Sequence, residues 1–198
     1  MPELPVPAKP FSLCLGARDW EHPTWARDYY PEDLPEDWRL SYYANDLSQV
    51  LVPQMRWLSA GEAGWTDWLE AVGPGFRFFL ELAPGSVPVS LAACVSALGA
   101  QCGGVVAVQG PLPEGVTAPF YLGRTLGGPE APPPGSLPLV LVLESAALGD
   151  LRAQRRLFED LARGHAAQGE LPLFLGGDAP SMQVLLNAKQ LAELMGLA

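Results

Sequence analysis

Strand-sized apolar runs alternate with longer helix-like runs along almost the whole chain, and few folds accept that pattern. The runs "FSLCLG" (Phe11 to Gly16), "QVLVP" (Gln49 to Pro53), "FRFFLEL" (Phe76 to Leu82), "GGVVAVQG" (Gly103 to Gly110), "LPLVLVLE" (Leu137 to Glu144) and "LPLFLGG" (Leu171 to Gly177) read as strands. They are continuous rather than alternating, as parallel strands covered on both faces are. Between them lie helix patterns: "EDWRLSYYANDL" with Trp38, Leu40, Tyr43 and Leu47 near one face, "GWTDWLEAV" closed by Gly73, "VPVSLAACVSALGAQ", the long "ALGDLRAQRRLFEDLARGHAAQG" and the final "SMQVLLNAKQLAELMG". Strand-helix alternation predicts an α/β fold around a parallel sheet. Six strands are clear and "FYLGR" (Phe120 to Arg124) is a weaker seventh. A complete eight-unit barrel typically needs about 250 residues, and 198 fall short of it. The expectation is one domain over residues 11–198, preceded by a proline-rich tail, 1–10, and carrying an irregular Pro/Gly-rich segment over 110–138.

Charge narrows the function classes. The formal net charge is -10, and Lys9 and Lys189 are the only lysines. Phosphate backbones and anionic lipid surfaces repel such a chain, so neither nucleic acid nor a membrane is an expected partner. "MPELPVPAKP" has no apolar core of a secretory signal, and no apolar run approaches the ~18 residues of a membrane span. The expected location is the cytoplasm, with Cys14, Cys94 and Cys102 as reduced thiols and Cys14, inside a strand pattern, buried and inert. The two histidines, His22 and His165, lie far apart, and no zinc-ligand spacing occurs. No Gly-x-Ser-x-Gly, Walker or Rossmann pattern is present. No cofactor and no metal is expected. The Lys-poor, Ala/Pro/Gly/Arg-rich composition suits a bacterial source with a GC-rich genome.

The segment Gly16 to Ala44 is unusual in mixing Trp20, Trp25, Tyr29, Tyr30, Trp38, Tyr42 and Tyr43 with seven acidic residues between Asp19 and Asp37. Gly16, Trp20, Trp25, "YYP" (Tyr29 to Pro31) and "LSYYA" (Leu40 to Ala44) together resemble the opening of the YecE-like family, domain of unknown function 72. "VVAVQGPLP", with Gln109, and "LPLFLGGDAPSMQVLLNAKQLAELMG", with Asn187 and Ala188, are similar to later parts of that family. The resemblance implies a TIM-barrel-like fold, here shortened or incomplete, with about six to seven parallel strands. It also exposes departures at strand ends, where barrel enzymes carry their chemistry. Leu51 and Pro53 stand where the family typically has Glu and Asn, Glu81 where it has Lys, and Gly176 and Gly177 where it has paired Asn. The late Arg and His positions have no counterpart around "VLVLES".

These features give two expectations for function. The first is a non-catalytic binding or interaction protein that has lost the family's polar strand-end residues. Its small-molecule ligand would meet Asp19, Trp20, Trp25, Tyr30 and Gln109, with the rings over the strand C-termini and Glu81 and Gln109 in the floor. The plainer reading of the same rings is a plug with polar tips in water. The alternative is a metal- or carboxylate-dependent enzyme acting on a sugar-like or other small metabolite through Glu81, Glu144 and Asp178, whose carboxyls would converge within about 5–9 Å. The plainer reading has these acids capping helices or pairing with arginines such as Arg18 or Arg77. Gly176 and Gly177 suggest a weak phosphate site, against a tight turn with Ser181 as helix N-cap. Gly16 is read as the end of the first strand. A shortened barrel would leave strand edges or helix faces uncovered and invite self-association into a homo-oligomer.

Overall fold

Seven parallel strands close into a barrel in the computed structural model, which describes residues 11–107, 116–127, 138–148 and 150–198. The strands are β1 (Ser12–Arg18), β2 (Gln49–Val52), β3 (Arg77–Leu82), β4 (Cys102–Ala107), β5 (Phe120–Leu126), β6 (Leu139–Leu143) and β7 (Glu170–Leu175). They pair in sequence order, and β1 closes the ring on β7 over six residue pairs from Ser12–Glu170 to Ala17–Leu175. The shortened fold is therefore complete as a ring. The uncovered strand edges expected from its length are absent among the described residues, because β1 and β7 satisfy each other. The weak "FYLGR" pattern is β5, paired to β4 and β6.

The helices are α1 (Trp25–Asp28), α2 (Arg39–Asp46), α3 (Gln54–Ala71), α4 (Leu91–Leu98), α5 (Leu151–His165) and α6 (Met182–Leu194). α3 starts ten residues before the predicted "GWTDWLEAV", at Gln54 rather than Gly64, directly after Pro53. A proline just before a helix is preset for that start. The helix breaks at Gly61, which adopts φ 60 and ψ -170. α5 is capped by Asp150, whose side chain accepts from the amides of Arg152 and Ala153. Among the described residues no helix is long and apolar enough to cross a membrane.

Two apolar layers result. The Phe79 and Phe174 rings lie 5.2 Å apart although β3 and β7 are not neighbours, so they meet across the barrel interior. With Leu51, Val106 and Val140 they form a buried plug, flanked by Tyr121 and Val142. Alternate residues such as Leu13, Leu15, Val50, Phe78 and Leu171 face outward into the cluster shared with the helices. The barrel centre is packed rather than porous.

Two expectations at β1 change. The strand runs past Gly16 to Arg18. A Cβ at Gly16 would stand 2.5 Å from the Gln49 carbonyl oxygen, so glycine serves a close approach of β1 to β2 there and not an exit turn. The turn is made by Asp19, whose φ is 73. Cys14 is half-buried instead of sealed, because it points into the barrel.

Candidate functional site

The strand C-termini bring Arg18, Asp19, Glu81, Glu144 and Gly176 to one mouth of the barrel, since all strands are parallel. Asp19 holds the left-handed conformation that Asp tolerates through local hydrogen bonding. Its Oδ1 accepts from the amides of Trp20 at 2.7 Å and Glu21 at 3.2 Å, and its own amide donates to Leu51 O at 2.8 Å. That turn aims Asp19 and Glu21 at Arg56 on the first turn of α3. Arg56 Nε donates to Asp19 Oδ2 at 2.9 Å and Nη2 to Glu21 Oε2 at 3.0 Å. Its guanidinium lies 4.7 Å from the centre of the Trp20 ring. Burial works against the charge of Arg56, but the two carboxylates more than offset it and raise its pKa.

Glu81 is engaged in the same way. Arg18 Nε donates to both of its oxygens at 3.0 Å and Nη2 donates to Oε2 at 2.7 Å, a forked pair. This hydrogen bond with Glu81 is the largest cause of the raised pKa of Arg18. The Glu81 carbonyl accepts from Trp57 Nε1 at 3.0 Å. Glu144 directly follows β6 and is exposed. Its carboxylate lies close to where side chains at Gly127 and Gly177 would begin, and it has no hydrogen-bond or ion-pair partner among the described residues. Asp178 is exposed on the connection from β7 to α6. No three His, Cys, Asp or Glu side chains among the described residues gather as a metal-holding group.

Gly176 and Gly177 follow β7 directly. A Cβ at Gly176 would meet Val142 Cγ1 at 2.7 Å and the Arg18 stem at 3.7 Å, and Gly177 has φ 97. The chain bends from Gly177, and Gly176 packs against the Arg18 stem. Ser181 caps α6, its hydroxyl accepting from the Val184 amide at 3.4 Å. Gln109 lies outside the described residues.

The predicted rings are contiguous and buried: Trp20 is 3% exposed, Trp25 1% and Tyr30 5%. They belong to the cluster between barrel and helices rather than to the interior plug. Trp20 meets Trp68 edge-on at 5.1 Å, and Trp68 stacks on the outward-facing Phe78. Trp25 Nε1 donates to Pro180 O at 2.7 Å, tying the segment to the start of α6. The Tyr30 hydroxyl donates to Trp20 O, and its ring packs against Tyr29 and Tyr42. Burial first of all raises the pKa of Tyr29, Tyr30 and Tyr43; Tyr29 also donates to Asp46. A groove of about 240 Å³ borders this segment, lined by Thr24, Trp25, Asp28, Tyr29, Pro180 and Gln183 among others.

Arg56 is the mouth residue that sequence reasoning missed. Its signal was Pro53, readable as a helix start instead of a strand stop.

Comparisons with known proteins agree with this architecture. Residues 14–84 match the family model DUF72, "Protein of unknown function DUF72". The similar stretches noted at "VVAVQGPLP" and after Leu171 lie beyond the matched residues. A DUF72 family protein of Thermotoga maritima MSB8 superposes with a TM-score of 0.57 at 12% identity, covering 93% of this chain and 99% of that one. A DUF72 family protein of Enterococcus faecalis V583 does so with a TM-score of 0.56 at 12% identity, covering 96% and 100%. At such identity the likeness is one of fold. No curated protein matches by sequence.

Proposed function

We propose that this chain is a non-catalytic binding protein of the DUF72, or YecE-like, family, a reading supported by the family-model match over residues 14–84 and by the likeness of fold. The observation that carries the reading is the state of Glu81. It stands on β3 two residues beyond Phe79 of the plug, and Arg18 occupies both of its oxygens. A carboxylate whose two oxygens are both engaged by a guanidinium is not open to a substrate. Asp19 and Glu21 are spent on Arg56 in the same way. What remains for a ligand is a rim of neutralised pairs beside the unpartnered Glu144, above an apolar floor. That rim suits a small polar molecule with hydroxyl or amine groups to donate to Glu144.

A second reading rests on Glu144 and Asp178, which have no side-chain partners among the described residues and could serve as an acid/base pair in an enzyme acting on a sugar-like metabolite. The test is a panel of polyhydroxylated and amine-bearing metabolites, scored for thermal stabilisation and for turnover with wild type, Glu81→Gln and Glu144→Gln. A true ligand at about 100 times its Kd stabilises by about 2.7 kcal/mol. The expected result is stabilisation weakened by Glu144→Gln and no turnover. Turnover abolished by Glu144→Gln in a folded protein favours the enzyme and removes the binding reading.

A further inference from the structure

Each of the seven strands has a strand on both sides, so a second copy of the chain cannot add to the sheet, and association has to use helices or loops. One helix face stands out in charge. α5 carries Arg152, Arg155, Arg156 and Arg163 against Glu159 and Asp160, in a chain whose net charge is -10. Arg155, Glu159 and Arg163 on α5 and Leu191, Leu194 and Met195 at the end of α6 line a groove of about 620 Å³. Its apolar side comes from α6. Leu191 and Met195 are half-buried against the core, and Leu194 is 80% exposed. Arg155 pairs with Glu159 at 2.8 Å and Arg163 with Asp160 at 2.7 Å, each within its own helix and at the surface. Surface pairs of this kind hold weakly, so both guanidiniums can exchange partners.

The complement lies on the same chain. Between α1 and α2, Glu32, Asp33, Glu36 and Asp37 are all exposed, and no basic residue stands among them from Pro31 to Trp38. Trp38 closes this acidic ridge. The sequence pattern groups it with Leu40, Tyr43 and Leu47, yet it is 61% exposed while those three are buried. Arg39 beside it lies over the Tyr30 ring at 5.7 Å and meets only Glu36, at 3.4 Å, so the ridge keeps an excess of negative charge. A large ring left in water beside charged neighbours has the make-up of an interface anchor with a polar rim.

We propose that the α5–α6 groove receives the acidic ridge of a second copy of this chain. The partner's Trp38 covers Leu191, Leu194 and Met195, and its flanking carboxylates meet Arg155 and Arg163. Charge selects this approach. Two copies of a chain at -10 repel each other in most orientations, and the ridge against α5 is the one that brings opposite charges together. The contact joins two different patches, so it is heterologous and copies can add in series. One ring and its rim fall short of the ~1,200 Å² of a stable interface, so the association is weak and appears at micromolar concentrations.

The test is sedimentation velocity of the full chain from about 10 to about 300 µM, over which the weight-average mass should rise with concentration. Trp38→Ser and Leu194→Glu each change an exposed side chain. Each should keep the wild-type circular dichroism and sediment as a monomer throughout. Arg163→Glu should raise the dissociation constant about tenfold. Mixing the first two variants tests the pairing itself. Trp38→Ser retains the groove and Leu194→Glu retains the ridge, so an equimolar mixture should form dimers and nothing larger. If Leu194→Glu does not fold, the double variant Arg155→Glu/Arg163→Glu takes its place. A wild type that stays monomeric, even one whose groove binds an unrelated acidic peptide, overturns the proposal. So does association that survives Trp38→Ser or Leu194→Glu, an unchanged constant for Arg163→Glu, or a mixture that stays monomeric.

Discussion

Trp25→Ala should destabilise the protein by about 3–5 kcal/mol, the usual cost of emptying a core tryptophan site. Trp25 is 1% exposed, touches Tyr29 edge-on at 6.0 Å, and donates to Pro180 O at 2.7 Å. The substitution opens a cavity between α1 and α6 and also strands that carbonyl, whose lost bond alone is worth about 1 kcal/mol. Single domains have about 5–15 kcal/mol in total, so the variant should retain a fold but lose much of its margin. Trp25→Phe separates the parts. It keeps most of the ring contact and loses the donor, and should cost about 1–3 kcal/mol. Urea unfolding followed by far-UV circular dichroism reads both. With a slope near 2 kcal/mol/M, the alanine variant moves its midpoint down by about 2 M. A loss below about 1 kcal/mol for Trp25→Ala would sink the reasoning, since a ring that can leave so cheaply is not fastening the segment to the barrel. If such a variant also changed its ligand-induced tryptophan fluorescence, the segment would be a binding wall and not a plug.

Gly16→Ala should cost about 1–3 kcal/mol in the same urea assay, because a Cβ 2.5 Å from the Gln49 carbonyl forces β1 and β2 apart; an unchanged midpoint would mean the strands can part freely. Stability should fall as pH rises above about 10, where unfolded tyrosines ionise while buried Tyr29, Tyr30 and Tyr43 hold their protons, so the unfolded state binds fewer protons than the folded one. Absorbance at 295 nm should then rise together with the loss of circular dichroism, and smooth ionisation well before unfolding would contradict the burial of these phenols.

The strands were legible because a parallel barrel buries both faces of most of them and leaves continuous apolar runs such as Leu139–Leu143. β5 was faint for the complementary reason: Gly123, Arg124 and Thr125 interrupt it, and Arg124 and Thr125 are exposed. The first half of α3 was missed because Gly61 breaks its periodicity and Pro53 reads equally as an end and a beginning. At the mouth, sequence could name the carboxylates and suggest arginine partners. It could not say that Arg18 and Glu81, 63 residues apart, are joined through β1, β2 and β3, since that distance is set by barrel closure. The aromatic segment showed in the sequence as a cluster. Its placement against Trp68 and Phe78, on the helix side, depends on the Asp19 turn, and a positive φ at a non-glycine residue has no local signature.

Barrel diameter grows with strand number, so seven strands enclose less room than eight. Side chains must then vanish at some inward positions so that neighbours can fit. A Cβ at Gly103 would strike the Phe79 ring at 2.5 Å, one at Gly104 the Tyr121 ring at 2.5 Å, and one at Gly176 the Val142 side chain at 2.7 Å. Leu51, meanwhile, is part of the plug itself. Two of the strand-end positions singled out in the sequence, Leu51 and Gly176, are therefore space-filling positions of a narrow barrel. A polar side chain at Gly176 would need room that Val142 already occupies, and a carboxylate at Leu51 would be buried against Phe79 and Phe174 without a partner at a cost of several kcal/mol. A narrow ring and a mouth with apolar or absent side chains at Leu51 and Gly176 go together. This explains why the charges that persist, Arg18 with Glu81 and Arg56 with Asp19, sit above the plug, where long side chains can still reach each other and water.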